Sequence, residues 1–135
     1  MMINEHISFQ SSLSLEEFTK RLGKNMSLKR FQFDYENENN WSWTYDESNI
    51  EINISKPFED GKLQEWDDST PIGCNFSLSL LLKSEPESVE KNDLVIKKVI
   101  SEYVVNIEKI IGQKAFYHRG NFLNKFEAEN NVEEK

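Results

Sequence analysis

This 135-residue chain has few residues of the types that form covalent or metal cross-links. Its single cysteine, Cys74, excludes an internal disulfide and a cysteine-rich zinc site, which agrees with a reducing compartment. The isolated glycines Gly61 and Gly73 lie in no glycine-rich phosphate loop, so nucleotide binding is unsupported. No apolar run approaches membrane-spanning length, and the first ten residues lack the pattern of a secretory signal. We therefore expect a cytoplasmic protein without cofactor, metal or membrane contact.

Basic residues are also in the minority. The chain has 16 lysines and arginines against 24 aspartates and glutamates, which gives a net charge of −8. This balance repels nucleic acid, because binding to phosphates needs clustered basic side chains. It favours a basic partner and speeds the encounter with it, although acidity can equally serve only to keep a protein soluble.

Aromatic residues are concentrated between residues 30 and 55, where apolar and polar side chains alternate with the period of half-buried strands. Loops at 36–40 and 46–49 would give three antiparallel strands, with Phe33 opposite Trp43 and Trp43 opposite Ile52. We therefore expect a meander whose aromatic residues face the core, and whose other face is polar and exposed. That polar face would consist of Gln32, Asp34, Glu36, Ser42, Thr44, Glu51 and Asn53.

Two helices and three further strands are expected around this meander. Ser14 begins a capping box before an amphipathic helix that Gly23 would end. A second helix is predicted over 93–111, with Asn92 as its cap and Gly112 as its stop. Strands are predicted at 6–10, 74–83 and 115–118.

These elements predict an α+β fold, an antiparallel sheet of about five to six strands with a central meander and two helices packed on one face. The other face of the sheet is left to solvent or to a partner. The length suits a single domain, which we place at 1–126, followed by a flexible polar tail at 127–135.

The candidate catalytic residues form no recognisable motif. His6 and His118 each lie in a predicted terminal strand and could act as acid and base, or bind a metal together with a carboxylate, but their spacing favours neither. Cys74 begins an apolar strand, where cysteines are mostly inert. Asp67 and Asp68 carry no stronger signal as an acid/base pair. The sequence therefore predicts neither a catalytic nor a metal site.

The longest irregular segment, 58–73, places Trp66 and Leu63 among carboxylates, although a short helix around 61–66 is equally possible. An aromatic residue among carboxylates is a composition typical of binding sites. Together with the turn at 46–49, this segment could form a broad acidic docking surface, or simply the usual polar side of a sheet.

Three segments carry a resemblance to a known group of proteins. They are the opening ISFQSSLSLEEFTKRLG, the aromatic meander FQFDYENENNWSWTY, and the strand CNFSLSLLLK followed by a long helix. In this general organisation, over most of residues 3–120, the chain resembles the small acidic immunity proteins that bacteria pair with polymorphic toxins, including those of contact-dependent growth inhibition.

The resemblance implies an inhibitor without catalytic activity, which binds a cognate toxin domain, often a nuclease. Carboxylates would imitate phosphate in a basic cleft, and Trp66 would supply a desolvated anchor. The residues expected to make this contact are Asp46, Glu47, Glu51, Glu59, Asp60, Glu65, Trp66, Asp67 and Asp68.

Two other functions stay open at this point. The first is a small enzyme or ligand-binding domain with a site between sheet and helices, where His118 and the acidic loop would lie at the mouth. The second is a structural subunit of a larger assembly. The protein could be a monomer or a homodimer.

Overall fold

The computed structural model describes residues 2–36, 39–83 and 89–118, and within these ranges it contains six strands and three helices. In chain order they are β1 (Met2–Phe9), α1 (Leu15–Met26), β2 (Gln32–Glu36), β3 (Asn39–Tyr45), β4 (Glu51–Pro57), α2 (Lys62–Trp66), β5 (Phe76–Lys83), α3 (Val89–Ile111) and β6 (Phe116–His118). The strands form one antiparallel sheet with the order β2-β3-β4-β5-β1-β6. The predicted α+β class is thus confirmed. The predicted domain limit at 126 and the tail at 127–135 lie outside the described residues.

The core lies between one face of the sheet and the two longer helices. Phe9 on β1, Phe18 on α1 and Phe76 on β5 are fully buried, and their ring centroids lie 4.9 to 5.2 Å apart. From α3, Ile100 and Ile107 enter the same cluster. Both helices therefore pack on one face, as predicted, because each has an apolar stripe that only this face can bury.

Helix α1 begins where the sequence predicts and ends one turn later. The Ser14 hydroxyl oxygen accepts a hydrogen bond of 3.1 Å from the Glu17 backbone N–H. Gly23, the predicted end, lies inside the helix, and Ser27 adopts the left-handed conformation (φ 53°) that closes it. The extra turn has a physical reason, since it allows Met26 and Leu28 to pack against the core.

The bounds of the other predicted elements need smaller corrections. Helix α3 begins at Val89, so Asn92 is not its cap, whereas Gly112 ends it as predicted with a φ of +71°. The early start agrees with the good helix propensity of glutamate and lysine in the sequence VEKN. Strand β1 also starts earlier than predicted, at Met2, because its pairing with β5 extends along all eight residues.

The meander is present, but its register is shifted by one residue from the predicted one. Glu36 pairs with Asn39, so two residues connect β2 and β3 in place of the expected five. Ser42 consequently lies opposite Ile54, and Thr44 lies opposite Ile52. The predicted pairing of aromatic residues with isoleucines is therefore wrong.

This register exchanges the two faces of β3. Ser42 and Thr44, predicted to be exposed, are buried against the helices. Trp41 and Trp43, predicted to be in the core, pair with Ser55 and Asn53 and lie half-buried on the opposite face. Of the other predicted core aromatics, Phe33, Tyr35 and Tyr45 are exposed and Phe31 is buried.

The contact between α1 and β3 accounts for this arrangement. The helix packs directly on β3, where two small side chains leave room for it. The Thr44 hydroxyl lies 2.8 Å from the carbonyl oxygen of Lys29 and 3.2 Å from that of Arg30, so it can donate to either. A tryptophan at either position would push the helix away from the sheet.

A comparison of two substitutions tests this register. We expect Thr44→Val to lower the free energy of unfolding by about 1 kcal/mol, because it removes the buried hydroxyl that donates to the Lys29 and Arg30 carbonyl groups. Ser42→Ala is the matched control, since the buried Ser42 hydroxyl has no hydrogen-bond partner among the described residues. This second change should be neutral or stabilising in urea unfolding. Negligible effects of both substitutions would instead indicate two exposed side chains.

Candidate partner-binding loop

The structure separates the predicted site residues into two groups. Asp46, Glu47 and Glu51 lie at the turn between β3 and β4, and the other six lie in the segment 58–73 that follows β4. Strand β4 runs between the groups for seven residues. At about 3.3 Å per residue, they lie about 20 Å apart at opposite ends of the sheet. A single partner-binding surface could therefore include either group of residues more easily than both groups.

At the turn, two of the three carboxylates make local hydrogen bonds. Asp46 accepts from the backbone N–H groups of Ser48 at 2.8 Å and of Ile50 at 3.0 Å, which shapes the turn. Glu51 accepts from the Tyr45 hydroxyl at 3.1 Å, and this hydrogen bond, together with the charge of Glu51, raises the pKa of Tyr45. Glu47 is exposed.

Positive charge also lies next to this turn. The Lys29 backbone N–H donates to the Tyr45 carbonyl at 3.2 Å, so the segment with Lys29 and Arg30 runs beside the end of β3. Both side chains are exposed. They offset part of the acidity of the turn, which makes it a weaker attractant for a basic partner.

Asp46 has a further neighbour in the core, Tyr103 of α3. Burial raises the pKa of Tyr103, and the charges of Asp46 and Glu102 raise it further. The Tyr103 hydroxyl meets no partner at hydrogen-bond geometry among the described residues. The Asp46 carboxylate thus acts mainly within the fold.

This environment predicts a pH dependence of stability. A pKa that is higher in the folded state gives a stability that is complete below the ordinary tyrosine pKa of 10.0 and is lost as the pH rises above it. Tyr103→Phe removes this loss, so between pH 10 and 11 the wild type should lose up to about 1.4 kcal/mol more than the variant. Urea unfolding at pH 7, 10 and 11 measures the difference. Tyr35→Phe, at an exposed ring, is the control, and a parallel loss in all three proteins would contradict the prediction.

The segment 58–73, which we call the acidic loop, has a shape fixed by its own hydrogen bonds. Helix α2 lies within it, as one of the two predicted alternatives had it, with Leu63 buried. The Gln64 side-chain amide donates to the carbonyl groups of Pro71 at 2.7 Å and of Cys74 at 3.0 Å. Asp67 accepts from the backbone N–H and the hydroxyl of Ser69 at 3.0 and 2.6 Å. Asp67 is therefore part of the loop's framework.

Three large apolar side chains of the acidic loop face solvent. Phe58 is 61% exposed, Trp66 is 51% exposed and Ile72 is 98% exposed. The carboxylates of Glu59, Asp60, Glu65 and Asp68 are also exposed, and that of Glu65 pairs with Lys62 at 3.3 Å. An ordered loop that holds apolar side chains in solvent has the composition of a protein interface, in which aromatic anchors are surrounded by a polar rim.

Sequence reasoning found Trp66 but missed Phe58 and Ile72. Phe58 lies just after β4, beyond the end of its alternating pattern, and this position is the signal that could have identified it. Ile72 follows a proline in a polar segment, and a single isoleucine there gives no signal.

The loop's exposed and buried residues should differ in their effect on stability. We expect Phe58→Ala and Ile72→Ala each to change the free energy of unfolding by less than about 0.5 kcal/mol, because both side chains face solvent. Leu63→Ala should cost about 2 kcal/mol or more, because it leaves a cavity. Urea unfolding measures all three, and a loss at Phe58 or Ile72 equal to that at Leu63 would show that these residues pack inside.

The other candidate residues are Cys74, His6 and His118. Cys74 is buried. The β1–β6 register places His6 opposite His118, while the neighbours of His6 along β1, Glu5 and Ile7, point into the core. Position 6 therefore lies on the sheet face away from the helices. Over residues 2–36, 39–83 and 89–118, no three histidine, cysteine or acidic side chains are grouped as a metal site would need.

Glu5 itself is a fully buried carboxylate that accepts a hydrogen bond from the Tyr117 hydroxyl, which joins β1 to β6.

Within the described part of the chain, no helix combines the length and the apolar character that crossing a membrane requires. Comparisons with family models, curated proteins and solved structures find no match to this chain.

Proposed function

We propose that the protein is an inhibitor of the immunity type, which binds a basic partner domain through the acidic loop and performs no chemistry on it. One observation carries the proposal. Phe58, Trp66 and Ile72 are exposed in a loop whose own hydrogen bonds fix its shape, and the same loop carries exposed carboxylates. An isolated exposed hydrophobic residue needs no explanation, but three in one ordered loop do.

The two kinds of side chain have different tasks in such an interface. Exposed carboxylates speed the encounter with a basic surface and exclude acidic ones. Aromatic side chains supply most of the affinity once they are desolvated, and tryptophan is among the residues most often found to dominate binding. A nuclease domain fits this description of the partner, because its substrate cleft must be basic to hold phosphates.

The proposed function also has consequences for where the protein acts and for its oligomeric state. An inhibitor that protects a cell from a nuclease has to act where the nuclease finds its substrate, so we place the protein in the cytoplasm. The acidic loop lies outside the sheet and needs no second copy to be complete. A monomer is therefore sufficient for binding.

The test is recovery of the partner. A tagged copy, expressed in the organism that encodes the chain and washed first at low and then at high salt, should retain a basic protein in equal amount, identified by mass spectrometry. The association rate of the purified pair should fall as salt rises, because screening weakens steering over distances beyond about 8 to 10 Å. If nothing is retained from cells that express the tagged protein, the proposal fails.

Substitutions then locate the contact. The combination of Phe58→Ala, Trp66→Ala and Asp68→Lys should weaken the recovered complex by about 100-fold or more, because two aromatic anchors and one charge are lost. The matched control makes the same types of change at three exposed positions of α3, namely Leu94→Ala, Val105→Ala and Glu102→Lys. It should bind like the wild type. Equal affinity of both combinations would move the contact away from the acidic loop.

A further inference from the structure

Positive charge is concentrated in one short part of this acidic chain. Five of its 16 basic residues lie between residues 20 and 30, and that stretch has no acidic residue. All five side chains are exposed. They are Lys20, Arg21, Lys24, Lys29 and Arg30. Arg21 pairs with Glu17 at 3.1 Å. The other four give the second half of α1 and the segment leading to β2 a local basic surface.

This surface borders an open groove of about 340 Å³ between α1 and β2. Lys20, Lys29 and Arg30 line it, against one carboxylate, that of Glu16. Its apolar part is formed by Leu28, Phe31 and Phe33. Phe31 is buried and Phe33 is exposed, so the groove combines apolar surface with cationic side chains.

Gly23 keeps the groove wide. It lies inside α1, where glycine costs about 1 kcal/mol relative to alanine. A Cβ at this position would meet only the Phe31 ring, at 3.9 Å, which is an ordinary contact. An alanine would therefore fit and would favour the helix. The glycine contributes open space above the Phe31 ring.

Strand β2 contributes Phe33 to the other wall, and it is one of the two edge strands of the sheet. It pairs with β3 on one side, and all five of its residues are exposed. An edge strand presents backbone N–H and C=O groups along its outer side. On β2 the Tyr35 N–H already donates to the Asp34 carboxylate at 2.8 Å and is not open to a partner. An extended peptide can hydrogen-bond to such an edge while its alternate side chains turn toward the groove.

We propose that this groove binds an extended acidic segment of a partner protein, which lies along the outer edge of β2. Its carboxylates pair with Lys20, Lys29 and Arg30, and the apolar side chains between them cover Phe31 and Phe33. The charge of the groove is opposite to that of the acidic loop, so the two sites select different partner segments. Peptide binding in the groove does not depend on the function proposed for the acidic loop.

A protein segment suits the groove better than nucleic acid does. Asp34 and Glu36 alternate with the aromatic residues along β2, and Glu16 lies at the groove itself. These carboxylates would repel a continuous phosphate backbone, whereas a peptide can place neutral side chains beside them. Nucleic acid binding is therefore the opposing outcome of the test.

The first experiment uses defined probes on the full chain. The main probe is a fluorescent seven-residue peptide, blocked at both ends, that alternates glutamate with leucine. The second replaces every glutamate with lysine, and the third is a single-stranded oligonucleotide of the same net charge as the first. At low salt, fluorescence anisotropy should show saturable binding of the glutamate peptide alone. No saturable binding of that peptide, equal binding of the lysine peptide, or tighter binding of the oligonucleotide overturns the proposal.

Two variants then test the groove. Charge reversal of Lys20, Lys29 and Arg30 to glutamate should weaken peptide binding at least about tenfold. Reversal of Lys97, Lys98 and Lys109, which are exposed on α3, is the control of equal charge. Gly23→Leu fills the groove without any change in charge and should also abolish binding. Binding that survives both groove variants contradicts the proposal, and retained binding in the Phe58, Trp66 and Asp68 variant separates it from the acidic loop.

Discussion

The contact of three phenylalanine rings, Phe9, Phe18 and Phe76, is the constraint on which the rest of the structure depends. It fixes α1 over the part of the sheet where β1 and β5 are neighbours. A helix held there also packs on β3, which must offer small side chains to it. The register of the meander follows, with Thr44 beneath the helix and Trp43 on the far face. The aromatic residues that dominate the sequence pattern are thus displaced from the core by three rings elsewhere in the chain.

The same contact sets the direction of α1, and with it the distribution of charge. Its first turn carries Glu16 and Glu17, and its last turn carries Lys24. This arrangement favours the helix, because each charge lies near the opposite end of the helix dipole. The acidic end is tied to the segment that follows the acidic loop, since the Asn75 side chain exchanges two hydrogen bonds with the Ser11 backbone. The basic end continues into the groove beside β2. Acidic side chains thus begin the helix and a basic one ends it, with Arg21 and Glu17 paired at 3.1 Å between them.

Sequence patterns predicted the features that depend on neighbouring residues. The types of the elements, the Ser14 cap and the stop at Gly112 all rest on local chemistry, and the structure confirms them. The register could not be obtained in this way. Alternation shows which residues of a strand share a face, but it cannot show which face receives a helix from elsewhere in the chain. The site could not be predicted fully for the same reason. Charge alone grouped the carboxylates of the turn at 46–49 with those of the acidic loop, although β4 separates them. The exposure of Phe58 depends on the conformation of the whole acidic loop.

The order within the acidic loop gives its exposed side chains a particular value for binding. An interface formed by a flexible segment must supply the free energy that orders the segment, which lowers its affinity for a given contact area. Here Gln64 and Asp67 close the loop during folding, so Trp66 and its apolar neighbours are already held in place. Most of the free energy released by their burial can then appear as affinity. A fixed arrangement of three side chains also fits fewer surfaces than a flexible one, so the rigidity that would strengthen the proposed binding would also make it selective.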